Sequence, residues 1–188
     1  MALPLLTVSS NPYDRSGAAL PFTIVGPDSP LAYRKAVERL AVEFAANSQF
    51  GQAPYSSQEA NTYAGELYSR ARVLLFSEPH KSGMIRCIGA VGIRWKSFDE
   101  LPAPGWVLTW AWFHPSRQRK GYLKNAWPCI LRLFPSLIPE PPITRAMLAF
   151  LKSVQFNHPN IRLETAFPYP YGDDLYGFQL SSSPKTGQ

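Results

Sequence analysis

The chain has 188 residues, enough for one domain with extensions and for a core that hides roughly 70% of the unfolded surface. Only 17% of the residues are charged, yet the formal net charge is +6 and the pI about 9.4, a balance that favours an anionic partner such as nucleic acid, an anionic membrane or a phosphorylated cofactor. The opening Met1-Ala2-Leu3-Pro4-Leu5-Leu6 lacks the basic and apolar regions of a signal peptide, and no run reaches the ~20 apolar residues of a membrane helix, so a cytoplasmic protein without membrane contact is expected.

In chain order, residues 1–20 read as an arm, with turn chemistry at Ser9-Ser10-Asn11-Pro12 and Ser16-Gly17. Pro21–Val25 is a short strand. Asp28 or Ser29 can cap a helix with Pro30 in its first position, and Tyr33, Val37, Leu40, Ala41 and Phe44 continue at helical spacing until Asn47. Ser56-x-x-Glu59 has the form of a capping box for a second helix marked by Ala60, Tyr63, Ala64, Leu67 and Ala71.

Val73–Phe76 and Ile85–Trp95 then form a hairpin around the turn-rich 78–83 stretch. The next run, Trp106–Phe113, is apolar on both sides and reads as a central strand. Alternation places Trp106, Leu108, Trp110 and Trp112 on one face, either core or an aromatic cleft. A helix-like stretch from Gly121 to Phe134 contains Pro128, which is expected to kink or split it. After a break rich in proline, Thr144–Gln155 is a further helix and Ile161–Phe167 a late strand. Residues 168–176 read as a turn or short helix, 178–180 as a last strand, and 181–188 as a mobile tail. The fold class expected is α/β (α+β), with a central mixed, mostly antiparallel twisted sheet flanked by helices, over residues 21–180. Cys87 and Cys129 are spaced for neither a disulfide framework nor a zinc site and read as buried thiols; no metal site is expected.

The chemistry concentrates after the central strand. From Leu101 to Pro139 there is no acidic residue, while Arg117, Arg119, Lys120, Lys124 and Arg132 fall in the same interval. Gln118-Arg119-Lys120-Gly121-Tyr122-Leu123 joins a buried strand to a helix start. There, unpaired backbone N–H groups and the positive end of the helix dipole bind phosphate, and a glycine lets the ligand come close.

This segment resembles the acyl-CoA signature of the GNAT superfamily of N-acyltransferases, Gln/Arg-x-x-Gly-x-Gly/Ala, here Gln118-x-x-Gly121-x-Leu123. The hydrophobic-His-Pro-x-x-Gln-Arg-Lys-Gly wording, Phe113 to Gly121, is also similar to that family, as is the order of elements down to Gly177-Phe178. Leu123, in place of a small residue, and Pro128, inside the helix, depart from the pattern. The resemblance implies acetyl-CoA, or another acyl-CoA, as co-substrate. It places the pantetheine arm on the main chain of Trp112 and Phe113, and the pyrophosphate on the amides of Arg119, Lys120, Gly121, Tyr122, Leu123 and Lys124, beside Gln118. It also implies transfer of an acetyl group to a primary amine by direct attack, the strands splaying to admit the thioester.

A tyrosine before the terminal Gly-Phe acts as the acid in that family, and the nearest candidates are Tyr176 and Tyr171, neither at the usual spacing. Glu164, on the late strand, is the candidate base. Asp173 and Asp174 suit a cationic substrate or an exposed turn; His80, His114 and His158 suit surface or capping roles. The acceptor can be a small molecule, a protein or an aminoacyl-tRNA, and the basic surface also admits nucleic acid or a second copy of the chain as partner. Two other classes stay open: a catalytically inactive CoA-binding or regulatory module, and a basic nucleic-acid-binding protein.

Overall fold

The computed structural model describes residues 5–6, 20–48, 51–57, 71–81, 83–96, 104–157, 166–168 and 174–177. Its centre is a mixed, mostly antiparallel sheet of six strands flanked by helices, the fold class expected. The strands are β1 (Leu5–Leu6), β2 (Thr23–Val25), β3 (Ala71–Pro79), β4 (Ile85–Lys96), β5 (Gly105–Phe113) and β6 (Ile138–Pro139). They lie in the order β2-β3-β4-β5-β6, and β1 pairs with β4. Leu5 and Leu6 pair with Arg86 and Ile85, while β5 pairs with β4 only from Gly89 onward. The first strand therefore continues the line of β5 along the same edge of β4.

Three helices cover the sheet: α1 (Leu31–Ala46), α2 (Tyr122–Leu133) and α3 (Arg145–Ser153). Strand alternation divides the apolar side chains between two cores. On one face Val73, Leu75, Cys87, Ala90, Trp110 and Trp112 meet Val37, Leu40, Ala41 and Phe44 of α1. On the other, Leu74, Phe76, Ile88, Val91 and Ile93 meet Ala126, Trp127 and Ile130 of α2 and Leu148 and Leu151 of α3. Burying one Leu- or Phe-sized side chain contributes about 1.5–3 kcal/mol, so each face is anchored by several such contributions.

Local chemistry moves several boundaries. The N-cap of α1 is Pro30, with no capping side chain. Ser29 instead closes the preceding turn: its Oγ accepts from the Gly26 amide at 3.0 Å and its own amide donates to the Gly26 carbonyl at 3.1 Å. Ser57 lies buried against α1, where its amide and hydroxyl both donate to the Glu38 carboxylate, at 2.9 and 2.7 Å. The helix expected to follow falls on residues 58–70, outside the described residues, but Ala71, expected to end it, begins β3 instead.

Pro128 does not split its helix. Residues 122–133 form one continuous α2, and the proline sits on an exposed face, where the carbonyl that loses its i+4 donor is left to water. The proline-rich break holds β6, a cis Pro141-Pro142 bond and β7 (Ile143–Thr144). Thr144 then caps α3, its hydroxyl accepting from the Met147 amide at 3.2 Å. Part of the stretch read as a turn or short helix is extended: β9 (Leu175–Gly177) lies between β7 and β8 (Phe167–Pro168) in a second, three-stranded sheet. Residues 161–165 and 178–180 lie outside the described residues, as does the tail.

The largest departure lies within β5. The register with β4 shifts between Gly92 and Ile93, so that Trp110 faces Gly92 while Leu108 faces Ile93, and Thr109 has no opposite number. Such an irregularity flips the alternation. Trp106 and Leu108 consequently pack on the α2 face, Trp110 and Trp112 on the α1 face, and the expected single tryptophan stripe is divided.

Candidate cofactor-binding site

At its carboxyl end β5 passes into a tight sequence of turns. The His114 amide donates to the Ile88 carbonyl at 2.9 Å, which makes it the last contact with β4. The His114 ring nitrogen Nδ1 then accepts from the Ser116 amide at 3.3 Å, capping a 3-10 turn over Pro115–Arg117. Gln118 is extended and sends its side-chain amide back to the Phe113 carbonyl at 3.0 Å. Arg119 and Gly121 both have left-handed backbones, with φ of 58° and 83°. Turns of alternating hand aim successive N–H groups into one concavity, a shape that holds anions.

Gly121 is the N-cap of α2, and no side chain caps it. The first bond of the helix is Asn125 N–H to Gly121 carbonyl, at 2.8 Å. The amides of Tyr122, Leu123 and Lys124 therefore precede the first residue with an intrahelical acceptor, at the positive end of the helix dipole. A side chain at Gly121 would meet nothing closer than Asn125, at 3.7 Å, so the space in front of the turn is open to a ligand. Leu123 packs against the α2-face core together with Tyr122. Lys120 and Lys124 are exposed beside the concavity, as is Arg119.

Arg117 has a different job. Its Nε and Nη2 donate to the two oxygens of Glu78 at 2.9 and 2.6 Å, and Arg86 approaches the same carboxylate at 3.6 Å. The Tyr122 hydroxyl lies 3.5 Å from Glu78 Oε2. Glu78 thus ties the turn and the start of α2 to the end of β3. No local signal in the sequence points to it, because its partners are 39 and 44 residues away. The Arg117 hydrogen bonds hold the Glu78 carboxyl below its usual value of 4.5, with Arg86 adding to the effect and partial burial opposing it. A depressed carboxyl contributes stability above its unfolded pKa, and the contribution is lost as pH falls through the folded value. Wild type should melt above Glu78→Gln at neutral pH, and the difference should shrink as pH drops below about 4.5. Melting curves of the two proteins from pH 7 to pH 3 check this.

Arg119 permits a cleaner test of the free cations. A left-handed non-glycine residue is strained by about 1–2 kcal/mol, whereas glycine loosens the unfolded chain by about 0.4–1 kcal/mol, so Arg119→Gly should fold with nearly unchanged stability. Loss of one exposed cation should lower acetyl-CoA affinity about fivefold, measured by calorimetry, with a smaller effect at high salt.

The other end of the site is a cleft where β5 and β6 part. The two strands pair in parallel only at Val107–Ile138 and Leu108–Pro139, with one more bond from the Glu140 amide to the Leu108 carbonyl at 2.9 Å. Beyond it, no described strand pairs with this edge over Thr109–Phe113. The His114 contact sets the alternation, so the main-chain groups of Ala111 and Phe113 face the open edge, and Trp112, opposite Ala90, faces β4. Thr109, Ala111, Glu140 and Met147 line the cleft, with Trp110 and Phe44 at 5.7 Å between ring centroids on its α1 side.

Of the candidate catalysts, Tyr176 is described: it is half-buried on β9, opposite Ile143, whose side chain forms part of the cleft wall. Tyr171 and Glu164 lie outside the described residues, as do Asp173 and His158. Cys87 is fully buried and its thiol is pushed up to about 12 by burial; Cys129 is half-buried, less covered than expected, beside the Arg132 guanidinium at 3.5 Å. No helix among the described residues is long and apolar enough to cross a membrane.

No family model and no curated protein matches the chain. Among solved structures it is similar to an aminoglycoside acetyltransferase from an uncultured soil metagenomic sample, determined with sisomicin. The identity is 12%, 79% of this chain and 93% of that chain are covered, and the TM-score is 0.49. It is also similar to a ribosomal-protein-alanine N-acetyltransferase from Brucella melitensis biovar Abortus 2308, at 13% identity, with 71% and 88% covered and a TM-score of 0.43. A third similar structure is AtaTR bound with AcCoA, at 12% identity, with 84% and 91% covered and a TM-score of 0.41.

Proposed function

We propose that the chain is an acyl-CoA-dependent N-acyltransferase of the GNAT type, moving acetyl from acetyl-CoA to a primary amine by direct attack. One observation carries this reading: an uncapped helix start opened by left-handed Gly121 stands at one end of an unpaired strand edge whose other end is a cleft. From Phe113 to Thr109 that edge runs about 13 Å at about 3.3 Å per residue. An anion joined to an extended, amide-bearing arm suits it, and coenzyme A has this form. The amides of Tyr122, Leu123 and Lys124 receive the pyrophosphate, with Arg119 and Lys120 beside them and Gln118 fixing the turn. The arm pairs with the main chain of Ala111 and Phe113 as an added strand would, and Trp112 closes the other side. The acyl group then reaches the cleft, where the amine attacks its carbonyl. The C–N bond forms, the C–S bond breaks, and the amine's surplus proton leaves to solvent. Tyr176 supplies the proton to the departing thiolate.

On this reading residues 21–180 form one acyltransferase domain of a cytoplasmic enzyme, with an N-terminal arm and a C-terminal tail. The direct test is a thermal melt with acetyl-CoA, using adenosine phosphates as a control. A ligand at a hundred times its Kd stabilises the native state by about 2.7 kcal/mol, a rise of several degrees at this size. No rise at millimolar acetyl-CoA would sink the proposal. Once an amine is found that releases thiol, Tyr176→Phe should lower kcat at least tenfold and leave acetyl-CoA affinity unchanged. An unchanged kcat removes Tyr176 from the mechanism.

A further inference from the structure

Glu140 is the only carboxylate lining the cleft among the described residues. Its position is set by the main chain, since its amide makes the last bond across the parallel pair before β5 and β6 part. Its side chain is held from one side. Lys96 Nζ donates to Oε1 at 2.6 Å, and Arg94 Nη2 lies 4.0 Å from the same oxygen. Oε2 has no partner among the described residues. The two cations stand behind the carboxylate: their side chains are 14% and 23% exposed, against 31% for Glu140, and neither lines the cleft. Glu140 thus lines the cleft together with Phe44, Trp110 and Met147.

We propose that Glu140 Oε2 receives the ammonium of the acceptor, making Glu140 the residue that selects amine substrates. Lys96 and Arg94 act as positioning residues that hold the carboxylate by Oε1 and leave Oε2 to the acceptor. A protonated amine donates to Oε2 in a charge-assisted bond, its apolar stem lies against Trp110 and Met147, and its nitrogen is held at the mouth of the opening through which the acyl group arrives; it gives one proton to solvent before its lone pair attacks and a second as the amide forms. An alcohol of the same shape donates only an uncharged hydrogen bond to Oε2, and an apolar analogue donates none. The preferred acceptors are therefore small or flexible primary amines with an apolar segment next to the nitrogen.

This inference rests on the acyl-CoA reading, and the test separates the two. The probes are two thioethers of coenzyme A, S-(2-aminoethyl)-CoA and S-(2-hydroxyethyl)-CoA, which carry an ammonium or a hydroxyl where the attacking nitrogen would stand. Affinities are measured by calorimetry beside acetyl-CoA. Wild type should bind the amino compound about tenfold more tightly than the hydroxy compound, the effect of one charge-assisted hydrogen bond. In Glu140→Gln the two affinities should become equal while acetyl-CoA affinity stays unchanged, which also reports that the variant is folded. Lys96→Met, which removes the contact that positions the carboxylate, should lower the preference severalfold; it provides an independent arm if Glu140→Gln does not fold. Equal affinities in wild type, a preference that survives Glu140→Gln, or no change in Lys96→Met would overturn the assignment. Failure of acetyl-CoA and both thioethers to bind wild type would overturn the acyl-CoA reading itself, and the assignment with it.

Discussion

Gly121→Glu is expected to lose acetyl-CoA binding by at least about 100-fold, because three effects act together. Glycine at φ 83° has no Cβ to strain, and another residue there costs about 1–2 kcal/mol. The new side chain projects into open space in front of the turn, where the nearest atom within the protein is 3.7 Å from a Cβ and where the ligand's phosphates are to lie. Its carboxylate takes the place of an anion and itself satisfies the free amides of α2. Each charge-assisted bond from those amides contributes about 1.5–3 kcal/mol, so losing one or two accounts for the loss. The melting temperature should fall by several degrees in Gly121→Ala, which shares the backbone strain without the charge, and by less in Gly121→Glu, whose carboxylate bonds the amides. Calorimetric titration of both variants with acetyl-CoA checks the result. Wild-type affinity in Gly121→Glu would show that the phosphates bind elsewhere.

Gly92→Ala is expected to act at the opposite end of the same site. Gly92 faces Trp110 across β4 and β5, and a Cβ there would overlap the indole ring. Trp110 is 4% exposed and packs against Phe44 of α1, so the ring has no free space to retreat to except the cleft that it lines. Overpacking of this kind costs about 1–3 kcal/mol, which outweighs the 0.4–1 kcal/mol, roughly, that alanine recovers from the unfolded chain. The melting temperature should drop by several degrees, and tryptophan emission should shift as the indole moves toward solvent. Acetyl-CoA affinity at the phosphate turn should fall little, while turnover of any amine should fall strongly. An unchanged melting temperature would mean that the strands separate at the register shift more easily than their pairing indicates. The two glycines thus divide the path: one variant blocks the anchor of the cofactor, the other the chamber where its acyl group is used.

The parts of this site that were legible in the sequence are those made by neighbours in the chain. The strand-turn-helix passage from Phe113 to Lys124 could be read because a helix start with a glycine and several cations needs only contiguous residues. The hairpin, the central strand and α1 were legible for the same reason. The features that complete the site depend on distant pairs. Glu78 joins Arg117 across 39 residues, and Lys96 joins Glu140 across 44, and no spacing rule reports either. The division of the tryptophans turned on Thr109. Its unpaired place in the ladder depends on the pairing of β5 with β4, a tertiary feature that strict alternation does not anticipate. Of the two outcomes expected at Pro128, a kink or a split, the split does not occur: the proline and Lys124, whose carbonyl loses its donor, are both exposed, and α2 runs through from 122 to 133. Glu140 stood unnoticed inside a proline-rich break because its meaning depends on where two parallel strands separate.

The state of the two thiols has a practical bearing on how activity is to be followed. On the proposed reading, transfer to an amine liberates free coenzyme A, and an aromatic disulfide reagent is the ordinary way to colour it. The enzyme's own sulfurs compete for that reagent only as exposed thiolates. Cys87, fully covered and with its pKa pushed up to about 12, is silent in the native protein. The background therefore comes from Cys129 alone, at no more than one equivalent per chain. In a control without amine, where no coenzyme A is released by transfer, a second equivalent per chain reports unfolding, so the same colour reaction gauges how much of the protein is still native.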